Sequence, residues 1–309
     1  EGCIKRRQRE YRSNCCSDEK HGEEGDGREI MPLKLMYITN CPDVARIAES
    51  AGVDRIFVDL EYIGKADRQG GMDTVQSHHT LEDIRRIADS VKTAEVLVRV
   101  NPIHNAFGKY SSSEEEIDAA IENGAKILML PFFKTVQEIK SFLHCVNGRA
   151  ETMLLLETPE AVNIIDGILD IGEIGSVHIG LNDLSLGYGV IFMFELLADG
   201  TVDRLCAKFR EAEIPYGFGG IASLGKGMIP AELIIKGHYR LGSTCAILSR
   251  SFCNVSRLKE TDDLRAIFTG GIHEIRKFEK TCVSLSESEL NANHRELAIF
   301  VNRICEGMK

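Results

Sequence analysis

No apolar run in the chain approaches the ~20 residues that a membrane-spanning helix requires. The first residues, EGCIKRRQRE, are charged and carry no apolar segment of the kind a secretory leader needs. No cysteines pair as Cys-x-x-Cys. The ten cysteines are scattered, several of them inside apolar runs such as STCAILS, residues 243–249. That spacing argues against a disulfide framework and reads as reduced core thiols in a cytoplasmic protein. Cationic charge is also in deficit, with 37 Lys and Arg against 47 Asp and Glu and a net charge of −10. An acidic balance of this size disfavours nucleic acid and anionic membrane surfaces as partners. It leaves room for a small anionic substrate, because one Arg and a metal ion reverse the field inside a pocket. There is no His-Glu-x-x-His pair to hold zinc, and no Gly-x-Gly-x-x-Gly turn follows the first strand-like run.

What is present is a repeat of alternating elements. Residues 1–30 stand apart from it, rich in charge and poor in periodic apolar content, and are expected to be a disordered tail or a non-native extension with Met31 as the natural start. From residue 33 onward, short Val/Ile/Leu/Met runs alternate with amphipathic stretches. Strands are expected at Leu33–Ile38, Arg55–Leu60, Glu95–Val100, Lys126–Leu130, Thr152–Leu156, Ser176–Leu181, Pro215–Gly219 and Arg240–Leu248. Helices are expected at Pro42–Ala51, Leu81–Val91, Glu114–Asn123, Val136–Val146, Pro159–Leu169, Asp203–Ala212 and Gly227–Lys236. Continuous apolar strands alternating with helices imply βαβ units and a buried parallel sheet. Eight units over about 250 residues match an α/β fold of the (β/α)₈, or TIM, barrel type. Two further helical stretches, about 261–280 and 286–305, exceed what one barrel helix needs, so residues 31–309 read as a single barrel domain with a C-terminal helical region from about 258.

Active sites of such barrels lie at the C-terminal ends of the strands. The first polar residues there are few and chemical. Strand two ends in Asp59 and Glu61, strand three contains Arg99, strand five ends in Glu157, and strand six runs into GLNDLS with Asp183. Four carboxylates at one mouth would repel one another. A hard divalent cation, Mg²⁺ or Mn²⁺, would relieve this through one or two carboxylates plus waters or substrate oxygens. Glu157 and Asp183 are one βα unit apart, which suits a shared ion. Each has a plainer reading as a helix cap, since Thr158 and Pro159 start a helix well and Asp is a good N-cap. Arg99 reads either as a clamp for a substrate carboxylate or as a salt bridge to Asp59 or Glu61. GFGG, residues 217–220, reads as a phosphate cradle or simply as close packing.

Five segments occur in order: GVDRIFVDLEY, VRVNP, GAKILMLP, LLLETPEAV and HIGLNDLS. Together they resemble the HpcH/HpaI aldolase and citrate lyase β-subunit family of class II 2-oxo acid aldolases, over about residues 33–250. The resemblance implies a TIM barrel, a divalent metal (Mg²⁺ or Mn²⁺) and carbon–carbon lyase chemistry. The implied substrate is a small-molecule 2-oxo acid such as pyruvate or oxaloacetate, or a CoA ester in the lyase branch. It assigns Glu157 and Asp183 as metal carboxylates and Arg99 as the group that steadies the enolate. Asp59 and Glu61 match the strand-two acidic pair, and Gly180 and Asn182 fall at the substrate carboxylate. The resemblance further implies a homo-oligomer that exchanges its last helix between subunits.

In the aldolase branch a His follows the strand-two Glu and pairs with the Asp to move a proton. Tyr62 stands there instead. With an ordinary pKa near ~10, Tyr62 would serve as an acid but poorly as a base. His79 and His104 are the alternatives for that step, and His178, inside strand six, reads as a core histidine. The expectation is therefore a metal-dependent lyase or aldolase on a 2-oxo acid. The rivals are a citryl- or malyl-CoA-type lyase and a non-catalytic barrel that binds an oxo acid or metal.

Overall fold

Eight parallel strands close into a barrel in sequence order, each hydrogen-bonded to the next and β8 to β1. They are β1 Lys34–Ile38, β2 Arg55–Asp59, β3 Glu95–Arg99, β4 Ile127–Leu130, β5 Glu151–Leu156, β6 Ser176–Ile179, β7 Tyr216–Ile221 and β8 Cys245–Leu248. The computed structural model describes residues 31–65, 79–254 and 261–308. Within it Pro32–Lys309 forms one compact unit. The expectation for a tail over residues 1–30 lies outside the described residues.

The helices are α1 Pro42–Ala51, α2 Leu81–Ser90, α3 Ser113–Glu122, α4 Val136–Val146, α5 Pro159–Asn163, α6 Ile165–Leu169, α7 Leu181–Tyr188, α8 Glu195–Ala198, α9 Thr201–Glu211, α10 Ala231–Leu241, α11 Thr261–Val283 and α12 Glu287–Met308. Local chemistry sets several of their ends. Thr80 with Asp83, Ser112 with Glu115 and Thr135 with Glu138 form capping boxes, each side chain satisfying an orphan backbone N–H. Gly52, Asn147, Gly189 and Gly242 end helices in the left-handed region.

Two apolar layers hold the barrel. The larger lies between strands and helices, and includes Val58, Val98, Leu128, Leu154 and Ile179. The smaller plugs the interior with Met36, Phe57, Leu97, Ile127, Met129, Met153, Leu155 and Cys245. Because side chains alternate along a strand, residues two positions beyond this plug also face inward. The C-terminal helices belong to the same unit. Arg276 of α11 donates to the Leu33 carbonyl at 2.8 Å and to Asp54 at 3.0 Å, which ties α11 to the N-terminal ends of β1 and β2. Asn293 of α12 donates to the Leu233 carbonyl of α10 at 3.0 Å. So α12 packs against α10.

Several expected boundaries move. The eighth strand begins at Cys245, not Arg240, because Arg240 and Leu241 complete α10 before the Gly242 cap. That helix starts at Ala231 rather than Gly227, since Gly227 takes φ +97° and Pro230 occupies the N-cap. The stretch Pro159–Leu169 breaks at Ile164 into α5 and α6. The expected sixth strand to Leu181 stops at Ile179, and α7 begins at Leu181 with Gly180, not Asp183, at its N-cap. The GFGG glycines lie within β7, not in a loop after it. A Cβ on Gly217 would meet the Cys245 carbonyl oxygen at 2.2 Å, so that glycine serves close strand packing rather than a phosphate cradle. Among the described residues every cysteine is a free thiol, and Cys206, Cys245, Cys253, Cys282 and Cys305 are buried.

Candidate active site

The barrel register brings the strand-two acids and Arg99 together. Phe57 of the interior plug has Leu97 as its neighbour, and two residues further along Asp59 pairs with Arg99. Both therefore face inward at the C-terminal end of the barrel. Arg99 donates from Nε to Asp59 Oδ1 and from Nη2 to Asp59 Oδ2, each at 2.8 Å, a bidentate pair. Its Nη1 lies 3.2 Å from Glu61 Oε2. The guanidinium also sits over the Phe57 ring, 5.6 Å from its centroid. Burial alone would pull Arg99 down, but Asp59 and Glu61, with Glu157 adding to them, hold it well above its usual value. Arg99 thus forms a salt bridge with both strand-two acids.

A residue that the sequence did not single out completes this network. Lys65 Nζ donates to Asp59 Oδ2 at 2.8 Å and lies 3.6 Å from Glu61 Oε2. Its side chain is only 6% exposed. Burial alone would raise Asp59, but Arg99 and then Lys65 outweigh it and hold the carboxyl well below the ordinary range. The repulsion expected among four carboxylates is therefore relieved, for two of them, by the chain's own cations. A signal for Lys65 existed in the sequence: it stands four residues after Glu61 and directly after Gly64, a turn residue.

The segment after β2 is held down by backbone contacts. Asn101 Oδ1 accepts from the Tyr62 and Ile63 N–H groups at 2.8 and 2.9 Å. Asn101 in turn donates its backbone N–H and Nδ2 to Glu116 Oε1, both at 3.0 Å. The Tyr62 hydroxyl donates to the His79 carbonyl, so the phenol pins two stretches of chain together. Burial, with Asp59 and Asp83 nearby, also raises Tyr62 above its ordinary value, which weakens it further as a proton donor.

The histidines fall into other roles. His79 is buried, and its Nδ1 accepts the Asp59 backbone N–H at 3.0 Å. An amide donor fixes that nitrogen as unprotonated, which places the ring hydrogen on Nε2. Burial keeps the ring neutral, against the opposing pull of Asp59 and Asp83. With one nitrogen accepting and the other carrying hydrogen, His79 has no lone pair left for a base. His104 lies in the loop after β3, with Nδ1 at 2.7 Å from the Pro102 carbonyl and Nε2 at 2.8 Å from that of Ser111. It shapes that loop. His178 is buried inside the barrel beside the Gly219 carbonyl at 3.2 Å, and burial pulls it down to about 4. It is a neutral core histidine, as expected.

Glu157 and Asp183 lie across the mouth. Glu157 follows β5 immediately, two residues past the interior Leu155, and is buried. Its Oε1 accepts the Phe132 N–H at 3.0 Å. Phe132 takes φ +48°, a left-handed conformation that a non-glycine residue adopts at a cost of about 1–2 kcal/mol. That strained turn after β4 aims its N–H at the carboxylate. On the other side, a Cβ on Gly180 would lie 2.9 Å from Glu157 Cβ and 2.9 Å from Oε2. Only glycine lets the carboxylate rest there. Gly180 is also the N-cap of α7, and Asp183 is the third residue of that helix, buried. Glu157 and Asp183 therefore border the same first helical turn. No side chain caps α7, so the N–H groups of Leu181 and Asn182 have no partner within the helix.

These donors suit a hard cation. Among the described residues no group of three or more His, Cys, Asp or Glu side chains is placed to enclose a metal. Two carboxylates with waters or substrate oxygens completing the shell is the habit of Mg²⁺. Among the described residues, no helix is long and apolar enough to cross a membrane.

The profile of the HpcH/HpaI aldolase/citrate lyase family matches residues 34–191, just over half of the chain. No curated protein matches the chain by sequence. Among solved structures, an HpcH/HpaI aldolase from Desulfitobacterium hafniense DCB-2 superposes with a TM-score of 0.53 at 17% identity, covering 79% of this chain and 93% of that one. At that identity the likeness shows a shared fold.

Proposed function

The chain belongs to the HpcH/HpaI aldolase/citrate lyase family, whose members are carbon–carbon lyases, and from that premise we propose that it makes and breaks a C–C bond adjacent to a 2-oxo acid, through an enolate, with a divalent metal held by Glu157 and Asp183. The observation that carries this reading is the division of charge at the mouth. Arg99 and Lys65 sit against Asp59 and Glu61, while buried Glu157, directly after β5, rests on Gly180, the N-cap of the helix whose first turn carries buried Asp183.

A bound Mg²⁺ or Mn²⁺ would supply Lewis-acid polarisation of the keto oxygen. The chain's own groups supply the remainder. The Leu181 and Asn182 N–H groups donate to the substrate carboxylate, as helix N-termini do for anions. A guanidinium has five N–H donors, and two of those on Arg99 go to Asp59. The rest serve Glu61 and the oxygen on which negative charge develops as the bond breaks. Asp59 and Glu61 orient Arg99, and Tyr62 and His79 hold the chain around them.

The decisive experiment follows deuterium exchange at C3 of pyruvate by proton NMR, with Mn²⁺ or with chelator. Exchange that needs the metal and disappears in Glu157→Gln/Asp183→Asn supports the assignment. Undiminished exchange in that double variant would eliminate the site. A second reading, a CoA-thioester lyase of the citryl or malyl type, draws support from Tyr62, whose hydroxyl is spent on the His79 carbonyl where the aldolase branch places a histidine. Calorimetric titration with acetyl-CoA separates the two: micromolar affinity favours the thioester reading, and no heat of binding removes it.

A further inference from the structure

The strand-two network has one member with no counterpart in the reading above. Lys65 lies beyond the end of β2 and would reach solvent if the chain continued outward. It is instead folded back. Its N–H donates to the Tyr62 carbonyl at 3.2 Å across a four-residue turn whose third residue, Gly64, has φ +71°. A positive φ at that position is what a type II turn requires and what glycine supplies without strain. Asn101 grips the Tyr62 and Ile63 N–H groups from β3's side, and so fixes the direction of the turn. The result is a buried ammonium 2.8 Å from Asp59 Oδ2, the oxygen that Arg99 Nη2 also contacts at 2.8 Å.

We propose that Lys65 is a positioning residue for the lyase reaction: by sharing Asp59 Oδ2 with Arg99 and facing Glu61, it keeps the guanidinium from being drawn wholly into the two carboxylates and so holds it ready for the substrate oxygen. This rests on the enolate reading of the site. Two carboxylates facing Arg99 compete for the same donors, and Lys65 brings a second cation to Asp59 Oδ2. With Lys65 present the four side chains balance, and Arg99 keeps donors for a third oxygen. Lys65 itself touches no substrate in this account, so its loss should act on the chemical step more than on ground-state binding.

The test compares wild type, Lys65→Met and Lys65→Arg in Mn²⁺-dependent pyruvate C3 exchange, with melting temperature and Mn²⁺ affinity measured alongside. Lys65→Met should lower kcat about 100-fold with KM within about threefold, as loss of a transition-state-only interaction does. Mn²⁺ affinity should be kept or strengthened, because the mouth gains negative charge. Lys65→Arg keeps the charge but not the compact ammonium geometry, so it should recover part of the loss, to within about 10-fold of wild type. A folded Lys65→Met protein with kcat within twofold of wild type, or with only KM changed, overturns the proposal. Where Lys65→Met does not fold, Lys65→Arg carries the test, and a wild-type kcat there overturns it. Absence of exchange in the wild type would instead strike the enolate reading itself.

Discussion

Gly180→Ala isolates the contact on which the proposed metal carboxylate depends. Gly180 has φ −82°, a conformation alanine adopts freely, so the substitution adds no backbone strain. Its whole effect is one methyl group. That methyl would stand 2.9 Å from Glu157 Cβ, 2.9 Å from Glu157 Oε2 and 3.2 Å from Leu155 Cδ1. Carbon atoms in contact settle at about 3.5–4.0 Å, so the neighbours must open by roughly 0.6–1 Å. Leu155 is buried in the interior plug and Glu157 is tied to the Phe132 N–H, so neither yields cheaply. Overpacking of this kind costs about 1–3 kcal/mol. With an unfolding entropy of about 2.1 cal/mol/K per residue, that lowers the melting temperature of a unit this size by roughly 2–5 °C. The easiest relief is rotation of the Glu157 carboxylate away from Gly180, and a catalytic group misplaced by about 1 Å loses on the order of 100-fold in rate. The assay is Mn²⁺ titration by electron paramagnetic resonance together with pyruvate exchange and a thermal melt. Alanine at this position with wild-type Mn²⁺ affinity and wild-type exchange would refute the reasoning, whatever happens to the melting temperature.

Other expectations follow from the same geometry. Arg99→Met should destabilise the fold by about 3–5 kcal/mol in urea denaturation, because it leaves buried carboxylates without their bidentate partner; a loss below about 1 kcal/mol would show that Lys65 alone compensates them. Tyr62→Phe should cost only about 1 kcal/mol and leave kcat within a few-fold, since it removes a hydroxyl–carbonyl bond and keeps the ring; a 100-fold fall in kcat would restore Tyr62 as an acid. Buried His178 and His238, pulled down from the usual 6.5 to about 4 and about 3, stay neutral in the fold while the unfolded chain takes up protons. Their stability contribution is complete above pH 6.5 and is lost as pH falls from there toward 4, by about 3 kcal/mol for His178 alone. The melting temperature should therefore decline over that window, and His238→Gln should flatten the decline; a flat profile in the wild type would contradict the burial of these rings. Asp59, whose folded value lies below its unfolded one, adds stability above about pH 4 that disappears only in stronger acid.

The alternation of FVDL, KILML and TMLLLE with amphipathic stretches determined a closed parallel barrel, because strands buried on both faces are read directly from continuous apolar runs. Chain order at the strand ends likewise placed Asp59, Arg99, Glu157 and Asp183 at the mouth. Those inferences need only period and position. What each group does there was not legible. Arg99 has two readings in the sequence, and only the pairing of β2 with β3 shows that it bridges Asp59. Lys65 and Asn101 went unread because their contacts arise from a turn at Gly64 and a reach between strands, which no periodicity encodes. Tyr62 and His79 read as acid–base candidates in the sequence, and only the fold shows the phenol on the His79 carbonyl and His79 Nδ1 on the Asp59 N–H. A helix or strand is fixed by neighbours along the chain, whereas the charge state and orientation of a buried group depend on partners distant in sequence, such as Asp59 and Arg99, 40 residues apart and brought together when the barrel closes.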